Sequence, residues 1–234
     1  MHQRAFTLLE IAISITIIAL LVAAVTAGQN IKHRLALNQV MDHIAGFNSA
    51  NSQFTSTYGG LAGDLYNAET LLGEANIGNE TVDGNGDGNG DGDNTLETNL
   101  TSPNRDETLL FWQHLAVAGL LSGSFDASTT GAGGMYEGTL KNMFYQPNTN
   151  SSESNALYFL ASRITSSTVG RGIFTTKEAF NFDSKYDDSN PASGSIRSVD
   201  GNDQTQYDCV TESSEYNLTN TETNACAIQF YVDE

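Results

Sequence analysis

The chain has 234 residues and a net charge of −18, from 28 acidic residues against 10 lysines and arginines. This length allows one sizeable domain plus a dedicated N-terminal segment. Nucleic-acid affinity depends on Lys and Arg that neutralise phosphates, so the acidic balance argues against a nucleic-acid partner.

A short basic leader at the N-terminus is followed directly by a long apolar run. Residues 1–5 contain Arg4, and residues 6–28 are apolar or small apart from Glu10. As a helix, this run is roughly 35 Å long, which is enough to cross a bilayer. A secretory signal has a shorter apolar region that ends at a cleavage site. The sequence therefore predicts a retained transmembrane segment.

Glu10 is the one carboxylate in this apolar run. Such a group is costly in a membrane and usually has a partner of opposite charge. Residues 6–28 contain no Lys, Arg or His, and Arg4 falls on a different face of a helix. Cleavage after Ala5 would create an amino group on Phe6, one helical turn before Glu10. That amine, on this chain or on a neighbouring one, is the expected counter-charge.

The segment Ala-Phe-Thr-Leu-Leu-Glu at residues 5–10, followed by the apolar run, resembles the prepilin cleavage and methylation motif. That motif belongs to the type IV pilin and type II secretion pseudopilin superfamily. The resemblance implies that a prepilin peptidase cuts between Ala5 and Phe6 and methylates the new amine. It also implies that Glu10 pairs with the N-terminus of an adjacent subunit. The family normally has Gly before the cut, where this chain has Ala5.

The same resemblance implies a structural subunit of a type IV pilus-like filament. Its partners would be copies of itself, other pilins, the prepilin peptidase and an inner-membrane assembly platform. It would cross the inner membrane once, with its head in the periplasm, before entering a periplasmic or extracellular filament. Two alternatives stay open: a pseudopilin of a type II secretion system, and a membrane-anchored calcium-dependent adhesin or binding module.

The apolar run continues into a stretch with helical periodicity. Its apolar residues recur at close to helical spacing, at Ile31, Leu35, Val40, Ile44, Phe47, Phe54 and Tyr58. We therefore expect one helix over residues 6–58, with Gly59-Gly60 as its stop. The predicted domains are a leader (1–5), this helix with its transmembrane part (6–28), and a globular head (59–234).

Short helices and strands are predicted in the head. A helix is expected from about Arg105 to Ala118, with Asn104 or Asp106 as its cap and an apolar stripe of Leu109, Trp112 and Leu115. Residues 156–161, 172–175 and 227–232 have the composition of strands, the second pairing with the first. Thr175 and Glu178 have the spacing of a capping box, so another helix should begin there. The predicted fold class is α+β, a long helix packed on a small antiparallel sheet with long loops.

Residues 81–94 form an acidic glycine-rich loop in which Asp or Asn alternates with Gly. Calcium loops of the EF-hand kind place oxygen ligands at the first, third, fifth and ninth positions, here Asp83, Asn85, Asp87 and Asp91. The twelfth position needs a bidentate Glu but is Asn94, so Asp93 or Glu97 would have to substitute. Two interpretations stay open, a calcium site and a flexible polar linker.

Cys209 and Cys226 are the two cysteines, and in an exported protein they are expected to form one disulfide. The acidic group Asp183, Asp187 and Asp188 is expected to be a solvated turn, and His114 a surface or core residue. Nucleophile elbows, phosphate loops, dinucleotide fingerprints and zinc-protease motifs are missing from the sequence. We therefore expect a protein that is not an enzyme.

Overall fold

A computed structural model describes residues 8–73, 90–97, 106–125, 127, 134–165, 168–201 and 209–232. Helix α1 (Leu8–Tyr58) has 51 residues and is therefore roughly 77 Å long. Gly59, with φ of 80°, follows its last residue. The helix is continuous, and the expected stop at Gly59-Gly60 is confirmed.

In the part of the head that the structure describes there are two more α-helices and six strands. These are α2 (Glu107–Val117), β1 (Tyr136–Glu137), β2 (Met143–Asn150), β3 (Ala156–Thr165), β4 (Thr168–Arg171), α3 (Thr176–Tyr186), β5 (Ile196–Asp200) and β6 (Cys226–Tyr231). A short π-helical turn (Glu69–Gly73) and a 3₁₀ turn (Ser151–Glu153) complete the described elements. The predicted α+β class, a long helix followed by an antiparallel sheet, is confirmed.

The strands form one antiparallel sheet in the order β1-β2-β3-β6-β5. In the central pair, Phe159 of β3 lies opposite Phe230 of β6, and Phe230 lies opposite Ile196 of β5. Strand β4 pairs with the far end of β3, where Arg163 lies opposite Arg171. Strand β6, the last of the described strands, therefore lies next to β3, the longest of them.

One strand prediction is wrong, and further strands were not predicted. Residues 172–175 do not pair with β3; β4 does, and Phe174 makes only an isolated bridge to Cys226. The segment bonds to the start of β6 instead, because Ile173 and Phe174 donate their N–H groups to the Cys226 carbonyl oxygen at 2.8 and 3.1 Å. Strands β2 and β5 were not predicted. Strand β2 contains Pro147, which lies past the two residues of β2 that pair with β1.

The second half of α1 packs against α2 and the sheet. Its buried residues follow one helical face: Val40, Ile44, Phe47, Ala50 and Phe54. Phe47 is the centre of an aromatic cluster, with ring centroids 4.8 Å from Trp112, 5.1 Å from Tyr145 and 5.3 Å from Phe159. Aromatic residues of α1, α2, β2 and β3 thus meet at one point, which fixes the helix to the head.

Local capping confirms two predicted helix starts. The Asp106 carboxylate accepts a hydrogen bond from the Thr108 backbone N–H at the start of α2. At the start of α3, the Thr175 hydroxyl accepts from the Glu178 N–H (3.1 Å) and the Glu178 carboxylate accepts from the Thr175 N–H (2.9 Å). These bonds satisfy backbone donors that have no partner within a helix.

Candidate functional site: an exposed apolar helix and a carboxylate-lined loop

The first half of α1 is apolar and exposed. None of its most apolar window is buried against the head, and the side chains at 8–29 and 31–35 are all exposed. Ile31 and Leu35, expected to begin the packed stretch, are 60% and 58% exposed. Apolar packing against the head begins at Leu37. Before it, His33 and Ala36 make polar contacts with Glu178 and Thr139 of the head. Among the described residues, this helix alone is long and apolar enough to cross a membrane.

Hydroxyl groups in this half bond to their own helix. Ser14 donates to the Glu10 carbonyl oxygen (2.8 Å), and Thr16 donates to the Ile13 carbonyl oxygen (2.8 Å). The Thr26 hydroxyl reaches the Val22 and Ala23 carbonyl oxygens at 3.1 and 3.0 Å. Polar side chains that bond in this way leave the helix surface compatible with lipid or with an apolar neighbour. Glu10 is an exposed residue on the same surface.

Asp64 holds the end of the acidic loop against the head. It is only 3% exposed, and its two carboxylate oxygens accept hydrogen bonds from the backbone N–H groups of Gly92 and Asn94, both at 2.7 Å. Burial raises the pKa of Asp64, while these two hydrogen bonds lower it. The preceding residue, Gly63, donates its N–H to Nδ1 of His114 at 2.9 Å. His114 is thus a buried core histidine, one of the two expected alternatives.

Glu107, at the start of α2, holds the same loop from the other side. Its carboxylate accepts from the N–H of Asp91 (3.0 Å) and from the N–H of Glu97 (3.1 Å). Burial, and a hydrogen bond with the Glu97 carboxyl group, raise the pKa of Glu107 to about 9. The contact with Glu107 lowers the pKa of Glu97. The contact therefore shifts the pKa values of the two carboxyl groups in opposite directions.

These residues bring carboxylate oxygens close enough to hold a metal ion. The ligand atoms of Asp64, Asp91 and Glu107 lie within 4.8 Å of one another, and so do those of Asp91, Asp93 and Glu97. An all-oxygen set of this kind suits a hard cation such as Ca²⁺. Asp64 and Glu107 were missed at the sequence level, since no loop spacing connects them to residue 91 and only the fold brings them together.

The predicted calcium ligands are only partly described. Asp91 and Asp93 lie side by side: the Asp93 N–H donates to the Asp91 carboxylate at 3.2 Å. The Asp93 carboxylate also accepts from the N–H of Thr95 at 2.8 Å. Asp83, Asn85 and Asp87 lie outside the described residues, as do Ala5 and Phe6.

Asp183 is not part of a solvated turn, which corrects the sequence-based expectation. It is 0% exposed, and its carboxylate accepts from the Ser189 N–H and the Tyr216 hydroxyl, both at 2.7 Å. Burial raises the pKa of Asp183. The neighbouring Asp187 accepts from the Ile196 N–H at 2.7 Å, while Asp188 is exposed. These carboxylates close the loop between α3 and β5.

Cys209 and Cys226 form a disulfide, as predicted, between residues 17 positions apart. Cys226 begins β6, and Cys209 is held by a hydrogen bond from its N–H to the Asp200 carboxylate at the end of β5 (2.7 Å). Both cysteines are fully buried. The bridge therefore fastens the start of the loop that precedes β6 to the first residue of that strand.

An exposed apolar helix, continuous with a helix packed on an antiparallel sheet, defines a head-and-anchor protein. Residues 1–26 match the family model described as the prokaryotic N-terminal methylation motif. The chain thus carries the signature of type IV pilins and pseudopilins, which are structural proteins, and motif and apolar helix together indicate membrane anchoring. No curated protein and no solved structure matches the chain.

Proposed function

We propose that the protein is a structural subunit of a type IV pilus-like filament and not an enzyme. The observation that carries this proposal is the exposed apolar half of α1, continuous with the half that packs on the head. Such a surface needs cover from lipid or from other apolar helices. When the subunit moves from the bilayer into a helical bundle, neighbouring helices replace lipid around this surface. Its apolar side chains therefore stay out of water during assembly.

The subunit crosses the inner membrane once, with its head in the periplasm, until it enters a filament. A prepilin peptidase removes residues 1–5 by cutting between Ala5 and Phe6 and methylates the new amine. The other partners are an inner-membrane assembly platform, copies of the same chain and other pilins. The match of residues 1–26 to the methylation motif supports this processing. Mass spectrometry of filament-associated protein should find a chain that begins at Phe6 with a methylated amine; an intact Met1 terminus would contradict it.

In the filament, Glu10 pairs with the Phe6 amine of an adjacent subunit. Glu10 lies on an apolar surface where an ion without a counter-charge is costly, and breaking a buried ion pair strongly destabilises its surroundings. Glu10→Gln removes the charge and keeps the shape. We expect filament incorporation to fall about tenfold or more, measured by immunoblotting of sheared filaments against the membrane fraction.

Ser14→Ala is the matched control, since Ser14 lies one turn along the same surface and bonds only within its own helix in the described contacts. That variant should assemble normally. Unfolding of the head should be unchanged in both variants, which separates an assembly defect from a folding defect. Normal incorporation of Glu10→Gln would overturn the pairing.

The large acidic head and the cysteine loop favour a pilin over a type II secretion pseudopilin. The two roles differ in the location of the polymer, which is the cell surface for a pilus and the periplasm for a pseudopilus. Recovery of the protein in fibres sheared from the cell surface at native expression supports the pilus. Retention in the periplasm together with loss of a secreted enzyme on gene deletion supports the pseudopilus.

The acidic loop supports calcium binding as a second property of the head. Sequence spacing at Asp83, Asn85, Asp87 and Asp91 matches the start of a calcium loop, and Asp91 lies in both carboxylate groups described above. A site of this kind in an extracellular module has a Kd of about 10⁻⁴–10⁻³ M. At a hundredfold excess of calcium over Kd, the head should gain about 2.7 kcal/mol of stability.

Thermal unfolding of the full chain in detergent, with calcium or with a chelator, measures this gain. Asp91→Asn combined with Asp93→Asn should abolish the gain. Asp42→Asn, which removes an exposed carboxylate outside the three carboxylate groups close enough to hold a metal, should retain it. A flexible linker predicts no calcium effect at all. A calcium-dependent adhesin, in contrast, would keep its binding activity in the Glu10→Gln variant.

A further inference from the structure

A cationic pocket lies where the head meets the exposed half of α1. The apolar run ends at Gly28, and Lys32 and Arg34 follow about 6 and 9 Å further along the helix. The hydrocarbon core of a bilayer is about 30 Å thick and is flanked by headgroup layers. A helix with residues 8–28 in the core therefore places Lys32 and Arg34 at headgroup depth.

The last turn of α3 completes the pocket. Lys185 and Tyr186 line it together with Arg34, and the Lys185 ammonium donates to the Tyr186 hydroxyl at 2.7 Å. Leu37 and Phe182 supply an apolar wall. The cavity measures about 220 Å³. Pockets that enclose drug-sized ligands are larger, about 300–1,000 Å³, so this one suits a single small group.

The pocket's charge is opposite to that of the whole protein. Among its described lining residues, Arg34 and Lys185 are cationic and Glu178 is anionic. Glu178 is already engaged, since one carboxylate oxygen lies 2.5 Å from Nε2 of His33 and the other accepts from the Thr175 N–H. On a chain with a net charge of −18, two cations beside an occupied carboxylate form a local site for an anion.

We propose that this pocket binds the phosphate of an anionic phospholipid in the leaflet on the head side of the membrane. Arg34 and Lys185 contact the phosphate oxygens, Leu37 and Phe182 contact the glycerol and first methylenes, and Tyr186 lies at the interface, where tyrosine is enriched. The depth of Arg34 and the mixed lining of charge and apolar side chains favour a lipid over a carboxylate of a neighbouring head. This inference rests on the membrane insertion proposed above.

The test uses the full chain in nanodiscs that contain equal amounts of phosphatidylcholine and phosphatidylglycerol. Native mass spectrometry of the extracted protein measures the ratio of the two lipids that stay bound. A membrane-surface cation contributes about fivefold to anionic-lipid attraction. We therefore expect a clear preference for phosphatidylglycerol, and its loss in the Arg34→Gln, Lys185→Gln double variant.

Lys177→Gln is the matched control. Lys177 is exposed, carries the same charge and lies on the same helix, about 12 Å before Lys185 and outside the pocket. It should keep the lipid preference. Equal loss in this control would reduce the effect to general charge attraction and overturn the site. Displacement of the lipid by inorganic phosphate alone would assign the pocket to free phosphate and overturn the lipid assignment.

Three other outcomes are distinct. A wild-type chain that inserts but shows no lipid preference contradicts this inference and leaves the filament proposal intact. A chain that fails to insert into nanodiscs contradicts membrane anchoring itself. If the double variant keeps its lipid preference but no longer cross-links to a second copy, the pocket is a subunit contact and the lipid proposal is wrong.

Discussion

The two halves of α1 share one backbone but differ in what surrounds their side chains. From Val40 onward, one face is buried against α2 and the sheet, while the side chains at 8–29 and 31–35 are all exposed. Packing within the chain therefore stabilises the second half, and the first half depends on lipid or on other subunits. One continuous helix can therefore be part of a folded domain in its second half and an assembly surface in its first half.

Truncation of a large apolar side chain gives the largest expected contrast between the halves. Phe47→Ala removes the centre of the aromatic cluster and should lower the free energy of unfolding of the head by about 3–5 kcal/mol. Ile17→Ala, in the exposed half, should leave it unchanged. Urea unfolding of the full chain in detergent, followed by Trp112 fluorescence, measures both. A comparable loss of unfolding free energy in both variants would contradict the division of α1 into a packed half and an exposed half.

Removal of the disulfide should have an intermediate effect. Cys209→Ala with Cys226→Ala releases the loop fastened to the sheet, and a closed loop of this length contributes about 3 kcal/mol in the chain-entropy model. The same urea measurement gives the loss, and reduced wild-type protein is the reference. Membrane insertion should be unaffected, because the bridge acts only on the head. A urea midpoint that does not change on reduction would show that the disulfide does not stabilise the head.

Two glycine substitutions give the smallest expected difference in head stability between the two halves of α1. An added Cβ at Gly28 or at Gly46 meets no atom within 4 Å. Alanine favours a helix interior over glycine by about 0.5–1 kcal/mol. Gly46→Ala should therefore stabilise the head by that amount, whereas Gly28→Ala should not change head unfolding. Thermal unfolding of both variants tests this; equal stabilisation would mean that the whole helix unfolds with the head.

Local chemistry explains which parts of the fold were predictable. The end of α1, the Asp106 cap and the capping box of Thr175 and Glu178 depend on residues close in sequence, and the structure confirms them. Strand β2 was missed because Pro147 and its polar end are atypical of a strand. Its pairing with β3 is a long-range contact that local composition does not reveal.

The carboxylate site was less predictable than the anchor. Composition made the acidic residues look solvated, yet Asp64, Glu107 and Asp183 are buried and bonded to backbone N–H groups. Helix α2 is buried on all sides from Glu107 to Leu115, so its predicted apolar stripe describes only part of its contacts. Burial of a polar residue depends on partners distant in sequence, which periodicity does not identify.

The unbroken course of α1 has a mechanical consequence for the proposed filament. Tension along such a fibre passes through helices of this kind, and α1 contains no proline that would open its hydrogen-bond ladder in advance. Stretching must therefore break regular backbone bonds one turn at a time. A fibre built from this subunit should be stiff at low load and should lengthen only once those turns give way.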